Sequence, residues 1–238
     1  MLIDAGGVRI ELLAERAAWL PISETLLVAD LHLGKAQSFR RSGVPVPAGT
    51  TAAMFARLDQ LIERRAPREL IVLGDLLHGP LSQEGPAIDA LTRWRARHAQ
   101  LAVRMVRGNH DASAGDPPPA CGIEVLSAPF IHAGLALCHA PDEPTACFRV
   151  AGHVHPVLRM RGRIDRIRVV CFWLRPDALI LPAFGEFTGG WPVIAQPGEQ
   201  VFAVAGSDVM AVPRTAHGPR ATQRVGKVSR SPRAGVGS

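Results

Sequence analysis

The sequence predicts an α/β protein: a largely parallel sheet made of strand–helix–strand units, followed by a second strand-rich region packed on it. Three observations carry that prediction. Apolar runs alternate with segments of helical period between residues 25 and 111. Beyond residue 111 only strand-like runs follow, joined by short connections. Five of the apolar runs end in Asp, Asn or His.

Residues 8–30 read as short strands, "VRIELL", "AAWL" and "TLLVAD". "PVPAGTTAAMFARLDQLIERR" reads as a helix beginning after Pro47. Met54, Leu58, Leu61 and Ile62 recur there at the spacing of a buried face, and Thr50 or Thr51 offers a cap. "ELIVLGD" is an apolar strand. "GPAIDALTRWRARHA" reads as a second helix with Ile88, Leu91 and Trp94 on one side. "LAVRMVRGNHD" is a third strand, and "SAGDPPPACG" a Pro/Gly loop. Strands are expected at 123–127, 134–139, 147–152, 166–174, 178–182 and 201–204. Antiparallel pairing is expected among them, because no helix of ordinary length intervenes. From residue 213 the chain turns to Pro, Gly, Ser and Arg and reads as disordered. The expected organisation is one domain over 1–212 and a basic tail over 213–238.

The tail accounts for the charge. It holds Arg214, Arg220, Arg224, Lys227, Arg230 and Arg233 with no carboxylate side chain, which equals the net +6 of the whole chain. The body is therefore neutral, and the high pI does not describe a folded basic face. The tail could add salt-sensitive affinity for nucleic acid. The four cysteines form no CxxC pair and read as reduced thiols of a cytoplasmic protein. The segment "MLIDAGGVRIELL" lacks the pattern of a signal peptide. No apolar run approaches the roughly 18 residues of a membrane span.

The strand ends carry the chemistry. "VADLH" ends in Asp30 and His32, and "IVLGDLLH" in Asp75. "MVRGNHD" ends in Asn109, His110 and Asp111, "LALCHA" in His139, and "RVAGHVH" in His153 and His155. Each alone has a bland reading. Asp30 and His32 suit a turn, Asp75 suits a helix cap, and "GNHD" is turn-forming. His139 competes with His132 as the lone histidine of the set. Together they point elsewhere. Strand ends of a crossover sheet gather along one edge, where ligands bind. Converging Asp, Asn and His are costly to bury unpaired. Oxygen and imidazole donors without thiolate suit Mn²⁺, Fe or Zn²⁺. The donors are too many for one ion and about right for two, a pairing suited to displacement at phosphorus. Lys35, Arg40 and Arg41 read as a solvated face or as phosphate contacts. The arginines at 159, 161, 163, 166 and 168 read equally as an exposed strand face or as nucleic-acid contacts.

The ordered set "DLH", "GDLLH", "GNHD", a lone His and "GHVH" resembles the calcineurin-like metallophosphoesterases. "DLHLGKAQSFRRSGVPVPAG" and "LILPAFGEFTGG" narrow the resemblance to bacterial ligase-associated DNA-damage-response phosphoesterases or endonucleases. The resemblance implies a four-layer αββα sandwich, two mixed sheets flanked by helices. It implies two divalent ions, Mn²⁺ first, with Fe or Zn²⁺ as alternatives. Asp30, His32, Asp75 and His155 would hold one ion; Asp75, Asn109, His139 and His153 would hold the other. His110 would contact the phosphate and Asp111 would orient His110. His78 would line the site. The implied activity is a nucleic-acid phosphodiesterase in repair, beside a DNA ligase, a helicase and an exonuclease. A phosphatase or nucleotide phosphoesterase on the same site, a non-catalytic scaffold, and a binding module driven by the tail are the rivals.

Overall fold

The computed structural model describes residues 1–79, 85–161 and 166–213. The expected tail lies outside the described residues apart from Pro213, as does Arg163. Two mixed sheets face one another. The first holds seven strands in sequence order. They are β1 (Leu2–Ala5), β2 (Val8–Leu13), β3 (Ala17–Leu20), β4 (Thr25–Val28), β5 (Glu69–Leu73), β6 (Ala102–Val106) and β7 (Glu124–Leu126). The first four pair antiparallel and the last four parallel.

The second sheet holds nine strands. They are β8 (Phe130–His132), β9 (Leu135–Leu137), β10 (Arg149–Ala151), β11 (Pro156–Arg161), β12 (Arg166–Leu174), β13 (Ala178–Ile180), β14 (Trp191–Pro192), β15 (Gln200–Ala205) and β16 (Asp208–Ala211). The antiparallel pairing expected after residue 111 holds for β8–β9, β11–β12, β12–β13, β12–β15 and β15–β16, and is corrected for the others. β7 joins β6 in parallel, and β9, β10 and β13 are mutually parallel. A parallel pair needs a long crossover, usually helical. Here the loop 138–148 and the β11–β12 hairpin provide that crossover without a helix.

Four α-helices are described: α1 (Lys35–Arg41), α2 (Thr50–Arg65), α3 (Pro86–Arg97) and α4 (Asn109–Ala114). Strand alternation divides the apolar residues between two cores. Leu26, Val28, Leu70 and Val72 pack with Met54, Leu58 and Leu61 of α2 and Leu91 and Trp94 of α3. Leu27, Ala29, Ile71 and Leu73 face Leu135, Leu137, Val150, Phe172 and Leu179 of the second sheet. Both faces of the central strands are thus buried, which is why they read as continuous apolar runs. The outer side of the second sheet buries Leu158, Cys171, Val193 and Ala203 in one small cluster, and Ala136, Cys138 and Ala151 in another. The expected cap of α2 is also corrected. Gly49, at φ 82°, is the N-cap, and Thr50 and Thr51 are already helical. No described helix is long and apolar enough to cross a membrane.

Candidate metal centre

The strands β4, β5, β9 and β10 end together, and their next residues form one cluster. Backbone bonds set it. Asp30 N–H donates to Gly74 O at 3.1 Å, and His32 N–H to Asp75 O at 2.8 Å. Gly152 N–H donates to His139 O at 3.1 Å, and Gly185 N–H to Asp30 O at 3.0 Å. Asp30, His32, Asp75, His153 and His155 all have φ between 49° and 68°. Non-glycine residues seldom take this left-handed conformation, and it costs of order 1 kcal/mol or more at each. The fold holds five such residues in one place.

The side chains converge as two groups of three. Asp30, His32 and His155 bring donor atoms within 4.8 Å of one another, and so do Asp75, His139 and His153. Asp75 stands between the groups. Its Oδ2 is 3.8 Å from His32 Nε2 and its Oδ1 3.5 Å from His139 Nε2. Asn109 Oδ1 is 2.9 Å from His139 Nε2. All seven residues expected as metal ligands therefore meet.

Backbone carbonyls and amides orient these donors. His139 Nδ1–H donates to Leu73 O at 3.1 Å, which turns Nε2 inward. His155 Nδ1–H donates to Thr188 O at 2.9 Å and does the same. Such a bond to the second ring nitrogen is how metal-binding imidazoles are fixed. His153 N–H donates to Asp30 Oδ2, and His110 N–H to Asp75 Oδ1, each at 2.9 Å. Glycine allows the close approaches. A Cβ at Gly74, which has φ 78°, would collide with the His139 ring.

The cluster is not closed by its own partners. Asp30 Oδ1 and His32 Nδ1 are buried without a hydrogen bond. His32 Nε2 faces His155 Nε2 at 3.4 Å, and His153 Nδ1 faces His139 Nε2 at 3.0 Å. Burial, aided by Lys35 and the neighbouring imidazoles, pushes His32 down to about 2, so it is neutral and able to coordinate. Burial also lowers His153, with His139 adding to it. Burial opposes the charge on His155, but the Asp30 carboxylate and the Thr188 carbonyl outweigh it and raise its pKa. Buried carboxylate and imidazole atoms that converge without hydrogen-bond partners are the donor set a pair of divalent cations would satisfy.

His110, His78 and His32 form a further group beside the first. Here one expectation changes. Asp111 does not touch the His110 ring. Its Oδ1 accepts from Leu77 N–H and its Oδ2 from Gly108 N–H, both at 2.9 Å. His110 Nδ1–H instead donates to His78 O at 2.8 Å. The reason is local geometry. "GNHD" begins a short helix with Gly108 as N-cap, so the carboxylate three residues on folds back to the backbone. The turn-forming "GNHD" is thus a helix start. Lys35 lines a hollow with His32, Thr50, Glu186 and Phe187, and burial lowers its pKa. Glu186 was missed in the sequence because it belongs to no donor motif. His132, the rival to His139, lies away from the cluster, with Thr25 and Glu69.

A family model described as calcineurin-like phosphoesterase matches residues 24–207. The chain belongs to the calcineurin-like phosphoesterase family. Among solved structures, this phosphoesterase is similar to the nuclease MPE of Pseudomonas putida. The two share 38% identity over 89% of this chain and 99% of that one, with a TM-score of 0.80. Yfce, a phosphoesterase from E. coli, matches at 15% identity over 82% of this chain and 99% of that one. The TM-score of that match is 0.39. The chain matches no curated protein. A dinuclear metal site is typical of this family, and the two Asp/His groups are consistent with one.

Proposed function

We propose that this phosphoesterase is a metal-dependent phosphodiesterase acting on nucleic acid, with 1–212 as its single domain. The observation that carries the reading is the pair of three-donor groups meeting at Asp75, with buried donor atoms left unpaired. Asp30, His32, Asp75 and His155 would hold one divalent ion; Asp75, Asn109, His139 and His153 would hold the other. When bound, the ions supply Lewis acidity that acidifies water and neutralises charge at phosphorus.

The protein's own groups do the rest. The carbonyls of Leu73 and Thr188 keep Nε2 of His139 and His155 turned inward. The carbonyl of His78 holds His110 Nδ1–H and leaves Nε2 free, so that with both ring nitrogens protonated Nε2–H can contact a phosphoryl oxygen or protonate a departing one. Asp111 holds the Gly108–Leu77 backbone on which His110 stands. A nucleic-acid substrate is supported by the similarity to a protein described as a nuclease. Mn²⁺ is the proposed ion, on the strength of the mixed oxygen and imidazole donors. Association with ligase, helicase and exonuclease repair proteins rests on the resemblance of residues 30–49 and 179–190.

The test is hydrolysis of a chromogenic phosphodiester with Mn²⁺, beside the matched monoester and an Asp75→Asn control. Diester cleavage that the control lacks is the expected result. Monoester cleavage alone would move the assignment to a phosphatase. Full metal loading with neither ester cleaved would overturn the catalytic reading.

A further inference from the structure

Away from the metal centre, a groove of about 740 Å³ runs between α2, the β2–β3 turn, β12 and the β15–β16 turn. Arg16, Arg57, Gln60 and Arg168 line it. Strand register explains the arginine on the hairpin side. Arg168 and Val170 share the face of Phe172, which is buried between the sheets. Arg159 pairs with Arg168, and Val157 with Val170. Directly paired residues point to the same side of a sheet. The hairpin therefore carries its inner face past the core: Arg168 lines the groove, and Arg159, paired beside it, faces the same side of the sheet. Both are exposed, and neither has a carboxylate partner among the described residues.

The groove is joined to the metal centre in two ways. β11 begins at Pro156, directly after His155, so Arg159 stands about 13 Å along the strand from a candidate ligand. On the opposite wall Glu186 pairs with Arg16 at 3.2 Å and Arg57 at 3.1 Å. The same Glu186 lines the hollow beside His32 and Lys35. Arg57 is further fixed by the Phe184 carbonyl and lies 4.3 Å over the Phe184 ring. Its guanidinium is thus held in place as part of the wall. Glu15, a carboxylate of the groove lining, pairs with Arg64.

We propose that this groove is a subsite for the phosphate backbone of a polynucleotide strand whose scissile phosphate lies at the metal centre. Arg159 and Arg168 are its free contacts, and Arg16 and Arg57 form its fixed wall. This rests on the phosphodiesterase reading and adds to it where the rest of the substrate lies. Arginine forks match phosphate oxygens in pairs. Among the described residues no aromatic side chain lines the groove, so it holds backbone rather than stacked bases, and contributes affinity without sequence preference. A small phosphoester at His155 does not reach Arg159, whereas the next phosphates of a chain do.

The experiment uses the full chain and its Arg159→Gln/Arg168→Gln variant. Both positions are exposed, so folding is retained, and a thermal melt verifies it. Binding of a fluorescein-labelled single-stranded oligonucleotide is measured by anisotropy with chelator present, across a salt series. This readout is independent of catalysis. The expected result is affinity lower by about tenfold and a salt slope smaller by about two, one for each phosphate contact removed. With Mn²⁺, the ratio of oligonucleotide to small-diester cleavage also falls about tenfold, as a rise in KM. Unchanged affinity and slope in the variant would overturn the subsite, even with diester cleavage intact. Displacement of the oligonucleotide by polyglutamate at equal charge would overturn it too, in favour of an acidic-peptide site. Loss of small-diester cleavage in the unmodified protein would count against the metal-centre reading instead.

Discussion

The strands β4 and β5 carry polar groups at both ends, and the two ends treat them differently. At the amino end Thr25 is fully buried, and its hydroxyl lies 3.1 Å from Glu69 Oε1 and 2.9 Å from His132 Nε2. Glu69 also receives Arg104 at 3.0 Å. None of Thr25, Glu69 and His132 has a left-handed backbone. At the carboxyl end Asp30, His32 and Asp75 are equally buried, all three are left-handed, and two of their polar atoms have no partner. One end is a closed hydrogen-bond network that stabilises the fold. The other keeps strain and unpaired donors, which is the condition of a site awaiting a ligand. Residue type does not separate them, since both ends hold carboxylate and imidazole. Completeness of pairing does.

The largest break in this comparison is Asp75→Asn. It removes the carboxylate shared by both donor groups while keeping an oxygen for the His110 N–H. Diester hydrolysis is expected to fall by about a thousandfold, the scale of losing a key electrostatic group. Chelated protein is expected to melt at the same temperature or higher, because a buried charge is gone. Mn²⁺ should raise the melting temperature of the unmodified protein and not that of the variant. A variant that still gains stability from Mn²⁺ would show that Asp75 is not shared.

Asp111→Asn separates support from chemistry. Its carboxylate accepts two backbone N–H groups, and burial raises its pKa against their pull. An amide would face one of those N–H groups with its own. A loss of about 1–3 kcal/mol in denaturant unfolding is expected, the cost of an unsatisfied buried group. Gly74→Ala should cost about 2 kcal/mol, from strain at positive φ and collision with the His139 ring. It should also weaken metal affinity, read by calorimetry. Unaltered metal affinity in the alanine variant would mean that His139 is free to move without consequence.

Much of this arrangement was legible in the sequence. Continuous apolar runs such as "ELIVL" mark strands buried on both faces, and the helical period of Met54, Leu58 and Leu61 marks the covering helix. The donors were legible because they recur at strand ends, and a crossover sheet brings such ends together. What stayed hidden depends on backbone conformation or on distant partners. "GNHD" favours a turn and a helix start alike, so the fold-back of Asp111 was read as a contact with His110. Thr50 and Thr51 look like caps, but Gly49 takes the left-handed position before them. Parallel pairing of β9, β10 and β13 could not be read from loops that lack helices. The pairing of Arg57 with Glu186 spans 129 residues and leaves no local pattern.

The smallest expected effect is the most direct comparison of the two histidines that compete in the sequence. His132 and His139 flank the same short strand, β9, one before it and one after it. Thr25→Val leaves His132 and Glu69 without the buried hydroxyl. Stability should fall by about 1 kcal/mol in urea unfolding, the usual net value of a hydrogen bond. Mn²⁺ affinity and diester turnover should stay at the level of the unmodified protein, because the amino end of β4 has no part in the site. Metal affinity that drops with Thr25→Val would connect the two ends of the strand through β4 itself. Pairing would then no longer mark the amino end as purely structural, and His132 would regain its place beside His139.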